Sequence, residues 1–333
     1  MEWTADVSAG DWIRERIDDP WGGTIHDVVP RGFEAYARVL HPAVRSRPVG
    51  RAWPPLPYLA HEREWDAFGR SGVEIDSERI RWADAARVFG TRLHPLAQWG
   101  ALVRSRGDEW NPDAWQQVQA ADGWQYDAPE EGRLDAATVA ALAEVLAAHT
   151  TTPDDGIVGL WEGHGGLLGF YGETPSRAFL TFEQTPETDD PRHRSFLERT
   201  VRDPFNNVFR KPTWQQGMLP DDVSQGPRLE LPGRAHVLFR GGVSELARTD
   251  WALHVPWRDR IAEEHGFDPS ALSPSLVWPA DRAWVAVTEV DWDSTIIGGT
   301  AETVAAVCAD PRLEALGLPA EARLQWDADE VNR

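Results

Sequence analysis

Apolar residues in this chain occur in short segments that are separated by turn-forming residues and spread along the whole length. Some segments have the length and β-branched composition of strands, such as Arg234–Arg240 and Ala283–Val290. Others carry apolar residues three and four positions apart, as in Asp135–His149, where Asp135 can cap a helix. Strands and helices do not alternate strictly. The pattern therefore predicts an α+β fold, with a mostly antiparallel sheet packed with several helices.

The same patterns predict further elements. Strands are expected at Gly32–Leu40, Ile157–Trp161 and Ala178–Phe182, helices at Trp82–Phe89, Pro95–Val103, Trp257–His265 and Ala301–Ala309, and loops at 42–58, 105–133 and 269–279. The Gly298-Gly299-Thr300 sequence is expected to open the last of these helices, with Thr300 as its N-cap.

No linker divides the chain, because tryptophans and apolar segments continue from Trp12 to Trp326. We therefore predict a single domain over 1–333. One polar, proline-containing segment, 184–232, interrupts the apolar pattern and is predicted to be a surface excursion. Because long loops without secondary structure are uncommon, Arg194–Val201 is expected to form a short helix within it.

Cysteine content and hydropathy indicate the compartment. Cys308 is the only cysteine among 333 residues, so no intrachain disulfide can form, which is typical of a reducing compartment. The N-terminal residues show no basic stretch followed by an apolar run. No segment approaches the roughly 18 consecutive apolar residues of a membrane span. We expect a cytoplasmic protein that makes no membrane contact.

The formal net charge is −21, and Lys211 is the only lysine. Because nucleic-acid affinity comes mainly from basic residues that neutralise phosphates, we expect no nucleic-acid partner. The 18 tryptophans are unusual. Most are expected in the core, although tryptophan also supplies stacking surfaces and anchors at protein-binding or sugar-binding faces. The sequence does not indicate an oligomeric state.

Three stretches recur together, in order, in other proteins. They are Tyr36–Pro42, His149–Gly163 and the Trp278–Thr295 stretch with its Trp-Pro-Ala-Asp-Arg-Ala-Trp start. In these stretches the chain resembles a family of uncharacterised proteins common in actinobacteria. The resemblance covers most of the chain except 184–232. It implies a bacterial cytosolic protein and carries over no activity.

A short acidic motif follows the most apolar predicted strand. Asp291-Trp292-Asp293-Ser294-Thr295 resembles the Asp-x-Asp-x-Thr signature of haloacid-dehalogenase-like phosphohydrolases, in which the first Asp is a nucleophile and the second an acid or base. That signature normally lies near the start of its domain and is followed by a lysine, whereas here only a short C-terminal part follows and Lys211 precedes it. The placement argues against that family.

In an extended segment, Glu289, Asp291 and Asp293 would point to one face. Three carboxylates on one face repel each other unless water, an arginine or a metal meets them. The segment can therefore be a solvated strand end, a salt-bridge cluster with Arg282 or another arginine, or a metal site. In the last case Asp291 and Asp293 are the expected metal ligands, for Mg²⁺ or Ca²⁺, and otherwise no cofactor is expected.

A glycine-rich turn provides a second candidate. Trp161, Glu162 and His164 lie in Trp161-Glu162-Gly163-His164-Gly165-Gly166. A carboxylate and an imidazole beside a tryptophan can hold a ligand, although a tight turn that needs glycine explains the same residues. No second ligand stands at a metal-binding spacing such as His-Glu-x-x-His.

No complete catalytic constellation is visible, so whether the chain is an enzyme stays open. The leading hypothesis is a non-enzymatic recognition protein that binds a protein partner or a small ligand. Its candidate ligand-binding residues are Trp161, Glu162, His164, Arg282, Glu289, Asp291 and Asp293. The alternative is a metal-dependent hydrolase that uses the C-terminal carboxylates, with Arg282 holding an anionic group.

Overall fold

The computed structural model describes residues 1–18, 22–105, 114–171, 174–175, 217–264 and 266–332. Its strands are β1 (Glu2–Trp3), β2 (Ala35–Leu40), β3 (Ala43–Pro48), β4 (Ile75–Ile80), β5 (Gln117–Gln119), β6 (Gln125–Asp127), β7 (Gly156–Trp161), β8 (Phe170–Tyr171), β9 (Thr174–Pro175), β10 (Leu229–Leu231), β11 (Arg234–Arg240), β12 (Leu276–Pro279), β13 (Val285–Thr288), β14 (Ser294–Gly299) and β15 (Ala315–Leu318).

The α-helices of the described part are mostly short. They are α1 (Asp11–Arg14), α2 (Glu62–Gly69), α3 (Trp82–Phe89), α4 (Trp99–Leu102), α5 (Ala136–Ala147), α6 (Asp221–Ser224), α7 (Val243–Leu246), α8 (Arg260–Glu264) and α9 (Ala301–Ala309). Single turns of 3₁₀-helix lie at Val7–Gly10, Ile25–Asp27, Tyr58–Ala60 and Trp251–Leu253.

Nine strands form the larger sheet in the order β1-β11-β7-β12-β13-β14-β2-β15, with β10 beside β11. Every neighbouring pair is antiparallel. The predicted α+β fold with a mostly antiparallel sheet is therefore confirmed. The register places Trp161 opposite His236 and Ser294 opposite Leu40, so the ends of several strands meet along one side of the sheet.

Both faces of this sheet are covered, which explains why its central strands are almost wholly buried. Along β13, Val285 and Val287 pack on one face and Ala286 on the other, as the two-residue period of a strand requires. Helices α5, α7 and α9 cover the face of Ala286. The N-terminal segment and residues 318–324 cover the face of Val285.

A smaller sheet, in the order β4-β3-β6-β5, packs with α3 and α4 around buried aromatic rings. Trp82 ties it to the larger sheet, because its indole Nε1 donates to the carbonyl of His41, which follows β2, at 2.8 Å. Glu314, just before β15, accepts from the backbone N–H groups of Trp82 and Ala83 at 2.6 and 2.9 Å. The first turn of α3 is thus held by the larger sheet.

Several predicted elements are confirmed. Helix α3 has the predicted bounds, and β11 spans the predicted residues. Helix α5 begins after Asp135, whose side chain accepts from the backbone N–H of Thr138 at 3.1 Å. Thr300 caps α9 in the same way through the N–H of Thr303.

Other predictions were wrong. The expected loops at 42–58, 105–133 and 269–279 contain β3, β5 with β6, and β12 respectively. Strand β3 contains two arginines, Arg45 and Arg47, and ends at Pro48, so composition alone suggested a loop. The helix expected over Pro95–Val103 is limited to α4, and that over Trp257–His265 to α8.

Gly298 and Gly299 end a strand rather than open a helix. A Cβ atom on Gly298 would lie 2.7 Å from Cδ2 of Phe33 and 3.1 Å from Cε1 of Tyr36. The glycine is therefore required by the close approach of two aromatic rings, which the sequence does not show.

The strand predicted at Ala178–Phe182 lies outside the described residues. So does the part of the predicted excursion that runs from 184 to 216. The remainder of the excursion contains α6 and β10, with Leu219 and Leu229 buried. In the described part of the chain, no helix has the length and apolar composition needed to cross a bilayer.

Candidate functional site

The acidic motif lies in the turn that joins β13 to β14. The N–H of Trp292 donates to the carbonyl of Glu289 at 3.0 Å, which closes the turn. The extended segment expected over Glu289, Asp291 and Asp293 is therefore wrong. As a result the three carboxylates do not share one face but are directed to two different arginines.

A glycine holds this turn in place. The N–H of Gly132 donates to the carbonyl of Trp292 at 2.8 Å, and Gly132 has a φ of 68°. A Cβ atom at Gly132 would lie 2.6 Å from the carbonyl oxygen of Val290. Only glycine allows both the left-handed backbone and this approach.

Arg234, at the start of β11, binds two of the predicted carboxylates. Its Nη2 lies 2.7 Å from Oε1 of Glu289 and 2.7 Å from Oδ2 of Asp291. Its guanidinium carbon lies 5.4 Å from the ring centroid of Trp161. Burial raises the pKa of Glu289, although Arg234 acts in the opposite direction. Arg234 thus joins Trp161, Glu289 and Asp291 into one cluster.

Arg38, in the middle of β2, binds the third carboxylate. It is buried, and its Nη2 donates to Oδ1 of Asp293 at 2.9 Å. Its Nε donates to Oγ of Ser294 at 2.9 Å, and its Nη1 to the carbonyls of Pro95 and Ala97 at 3.2 and 2.7 Å. The guanidinium is therefore engaged on every nitrogen, as a buried charge requires.

In the predicted glycine-rich turn, the side chains of Trp161 and His164 contact each other, whereas Glu162 binds a different part of the chain. The rings of Trp161 and His164 lie 5.3 Å apart, and Nε2 of His164 lies 3.4 Å from Oγ of Ser275. Burial lowers the pKa of His164 to about 4. Glu162 instead accepts from Nε of Arg228 at 3.0 Å. The turn therefore contributes Trp161 and His164 to the neighbourhood of Arg234.

Arg282 lies far from the carboxylates, beyond the opposite end of β13. It has a φ of 55°, and its guanidinium carbon lies 5.5 Å from the ring centroid of Trp12. The salt-bridge cluster considered for the acidic motif does form, but with Arg234 and Arg38 and not with Arg282.

Beside the turn lies a cavity of about 410 Å³ between the larger sheet, α4 and the C-terminal segment. Four tryptophans line it, namely Trp99, Trp115, Trp292 and Trp326. Its ionisable lining residues are Arg38, Glu131, Asp291 and Asp293. Two of the predicted site residues, Asp291 and Asp293, thus border this cavity, whereas Trp161, Glu162 and His164 do not line it.

A buried polar chain lies on the other face of the sheet, behind the turn. Because the carbonyl of Glu130 can only accept, Nδ1 of His41 donates to it at 2.8 Å. Nε2 then accepts from the hydroxyl of Thr295 at 3.1 Å, and Thr295 accepts from Thr288 at 2.8 Å. Burial lowers the pKa of His41 to about 4, so the ring is neutral near pH 7.

Sequence reasoning missed Arg38, Arg234 and most of the tryptophan lining. The signal for Arg38 was present, because it is a charged residue inside the apolar strand of Tyr36–Leu40. Arg234 offered no such signal, since it begins its strand. Neither arginine has a sequence neighbour among its carboxylate partners.

A metal role for Asp291 and Asp293 stays a prediction. Among the described residues, no group of three His, Cys, Asp or Glu side chains is placed to hold a metal ion. No family profile, no curated protein and no solved structure matches the chain. The resemblance to an actinobacterial family therefore also stays a prediction.

Proposed function

We propose that the chain is a non-enzymatic recognition protein that binds a small organic ligand in the cavity lined by the four tryptophans. The cavity is the observation that carries the proposal. Its volume of about 410 Å³ lies within the range of small-molecule sites, roughly 300–1,000 Å³. A wall of aromatic rings with a few fixed polar groups is also the usual composition of such sites.

The state of the carboxylates supports binding over catalysis. Asp293 is held by Arg38 and Asp291 by Arg234, at 2.9 and 2.7 Å. A carboxylate oxygen that already accepts from an arginine has fewer free lone pairs to offer a substrate than an unpaired one. The arginines thus fix the polar groups in position for recognition. The alternative of a metal-dependent hydrolase stays a prediction without a supporting contact in the described residues.

A screen of small-molecule fragments by ligand-observed NMR tests this proposal, with tryptophan fluorescence as the second readout. Trp326→Ala is the site variant, because its side chain is 84% exposed and its removal leaves the core intact. Leu59→Ala is the matched control, because Leu59 is 83% exposed and does not line the cavity. We expect Trp326→Ala to weaken the bound fragments about tenfold and the control to leave them unchanged.

Two outcomes contradict the proposal. If no fragment binds, or if binding is the same in Trp326→Ala and the wild type, the cavity is not the ligand site. If mass spectrometry shows that the protein converts a bound fragment to a product, the non-enzymatic part is wrong. Recovery of the fragment unchanged supports it.

A further inference from the structure

Among the described residues, the charges of the turn between β13 and β14 are not balanced by the arginines that bind them. Two arginines, Arg38 and Arg234, pair with the three carboxylates of Glu289, Asp291 and Asp293. The formal charge of these five side chains is therefore −1. The whole chain has a formal charge of −21, so its long-range field has the same sign. Both fields attract a cation and repel an anion.

Arg38 is not available to an anionic ligand. Its three nitrogens already donate to Asp293, to Ser294 and to two backbone carbonyls, and the side chain is 1% exposed. Arg234 is similarly bound to Glu289 and Asp291. Among the described residues, a carboxylate or phosphate in the cavity would therefore face Asp293 and Asp291 without a free positive partner.

The tryptophans attract positive charge independently of the carboxylates. An indole face is the strongest cation–π partner among side chains, and aromatic cages of this kind bind quaternary ammonium groups. In the part of the chain that the structure describes, no ring contact joins any two of Trp99, Trp115, Trp292 and Trp326. Trp99 instead meets Trp82, with centroids 5.4 Å apart. The four rings are thus not stacked on one another.

Resting on the proposed function, we infer that the ligand is a small organic cation, an alkylammonium or quaternary ammonium compound. Its charged group lies against the tryptophan rings on the side of Asp291 and Asp293. Its apolar substituents fill the remaining space. A neutral sugar is the other chemistry that tryptophans and carboxylates accommodate, and the test separates the two.

Isothermal titration with choline, its neutral isostere 3,3-dimethyl-1-butanol, and glucose tests the inference. Choline and the isostere have the same shape and hydroxyl and differ in charge. We expect choline to bind about tenfold more tightly than the isostere, and glucose not to compete. Added salt is expected to weaken the binding of choline and to leave that of the isostere unchanged.

Asp291→Asn is the site variant, because its carboxylate borders the cavity and its side chain is 75% exposed. Asp76→Asn is the matched control, because Asp76 is also exposed and paired with an arginine, Arg47, but does not line the cavity. The site variant is expected to weaken choline about fivefold and not the isostere, and the control to change neither.

The outcomes separate this inference from the proposal on which it rests. Equal binding of choline and the isostere, preference for glucose, or no choline binding while neutral fragments bind would each overturn the cationic ligand and leave the proposed function standing. Absence of binding by every fragment and by choline overturns both.

Discussion

Arg38 is a fully buried arginine whose hydrogen-bond partners come from two separate parts of the chain, Pro95–Ala97 and Asp293–Ser294. Replacing it by methionine would leave Asp293 and two carbonyls without donors. Loss of one partner of a buried ion pair costs about 3–5 kcal/mol, so we expect Arg38→Met to lower the free energy of unfolding by that amount. Urea denaturation measures it.

Arg47→Met is the matched control for this substitution. Arg47 also lies over a tryptophan, Trp124, and pairs with an aspartate, but its side chain is 51% exposed. Its loss is expected to cost about 0.5 kcal/mol or less. In the double variant Arg38→Met with Asp293→Asn, part of the stability should return, because no buried charge is left unpaired. Equal effects of the two arginine substitutions would show that the Arg38 pair is not buried.

His41 gives the molecule a pH-dependent stability. Its pKa is about 4 in the folded state, against an ordinary value of 6.5 for histidine. The unfolded chain therefore binds the proton more readily, and stability present above pH 6.5 is lost as the pH falls toward 4. The loss is about 2 kcal/mol near pH 5. Denaturation at neutral pH and near pH 5 should show this loss reduced in His41→Gln.

His254 provides the comparison for that experiment, because its side chain is 54% exposed and pairs with Asp250 at the surface. In His254→Gln the buried ring of His41 is still present, so the loss of stability that its burial causes on acidification should remain. If His41→Gln loses as much stability on acidification as the wild type does, the ring of His41 is not the titrating group.

At the scale of secondary structure, the turn between β13 and β14 depends on Gly132. Alanine at this position would require a Cβ atom 2.6 Å from the carbonyl oxygen of Val290 and a left-handed backbone. We expect Gly132→Ala to destabilise the fold by about 2–3 kcal/mol and to displace the turn that carries Asp291 and Asp293. Thermal unfolding and ligand titration measure the two effects.

Gly123→Ala separates backbone strain from this close contact. Gly123 also has a positive φ, 84°, but no atom lies within 4 Å of its added Cβ. Its substitution should cost only the strain of the left-handed backbone, about 1 kcal/mol. If both glycine substitutions have the same effect, the contact with Val290 does not position the turn.

Periodicity correctly predicted the elements whose own residues carry a clear apolar pattern. Helix α5 and strand β11 show their apolar pattern without reference to the rest of the chain. Strands β3 and β4, which pair with each other, were not predicted. Most of their charged residues lie in solvent, so neither strand has the apolar pattern that marks a buried one. Composition cannot distinguish such strands from loops.

The candidate site was predictable only in part, for a related reason. Asp291 and Asp293 stand out as acids after an apolar strand, and they do border the cavity. Their arginine partners lie 57 and 255 residues away in sequence. No local pattern encodes such pairs, because they follow from the order of strands in the sheet. The turn that directs the two carboxylates apart depends on Gly132, which is equally remote in sequence.

At the scale of the whole molecule, the two sheets share buried contacts that should make them unfold together. Arg38 of the larger sheet lies over Trp82 of the smaller unit, with 5.4 Å from its guanidinium carbon to the ring centroid. Trp82 in turn bonds to His41 and Glu314. If the smaller sheet separated from the larger one, Arg38, Trp82 and Glu314 would lose contacts that they make across the boundary. Each lost contact of a buried polar group costs free energy, so neither sheet is expected to unfold alone.

Hydrogen exchange by mass spectrometry tests this coupling with a substitution remote from the contact. Val158→Ala, in the middle of β7 at 0% exposure, should lower the free energy of unfolding by about 2 kcal/mol. If unfolding is cooperative, the slowest amides of β3 and β6 in the smaller sheet should exchange about 30-fold faster, as should those of β11. Val49→Ala, at 52% exposure, should change neither set. Faster exchange confined to the larger sheet would mean that the chain contains two independently unfolding units, and the prediction of a single domain would then be wrong.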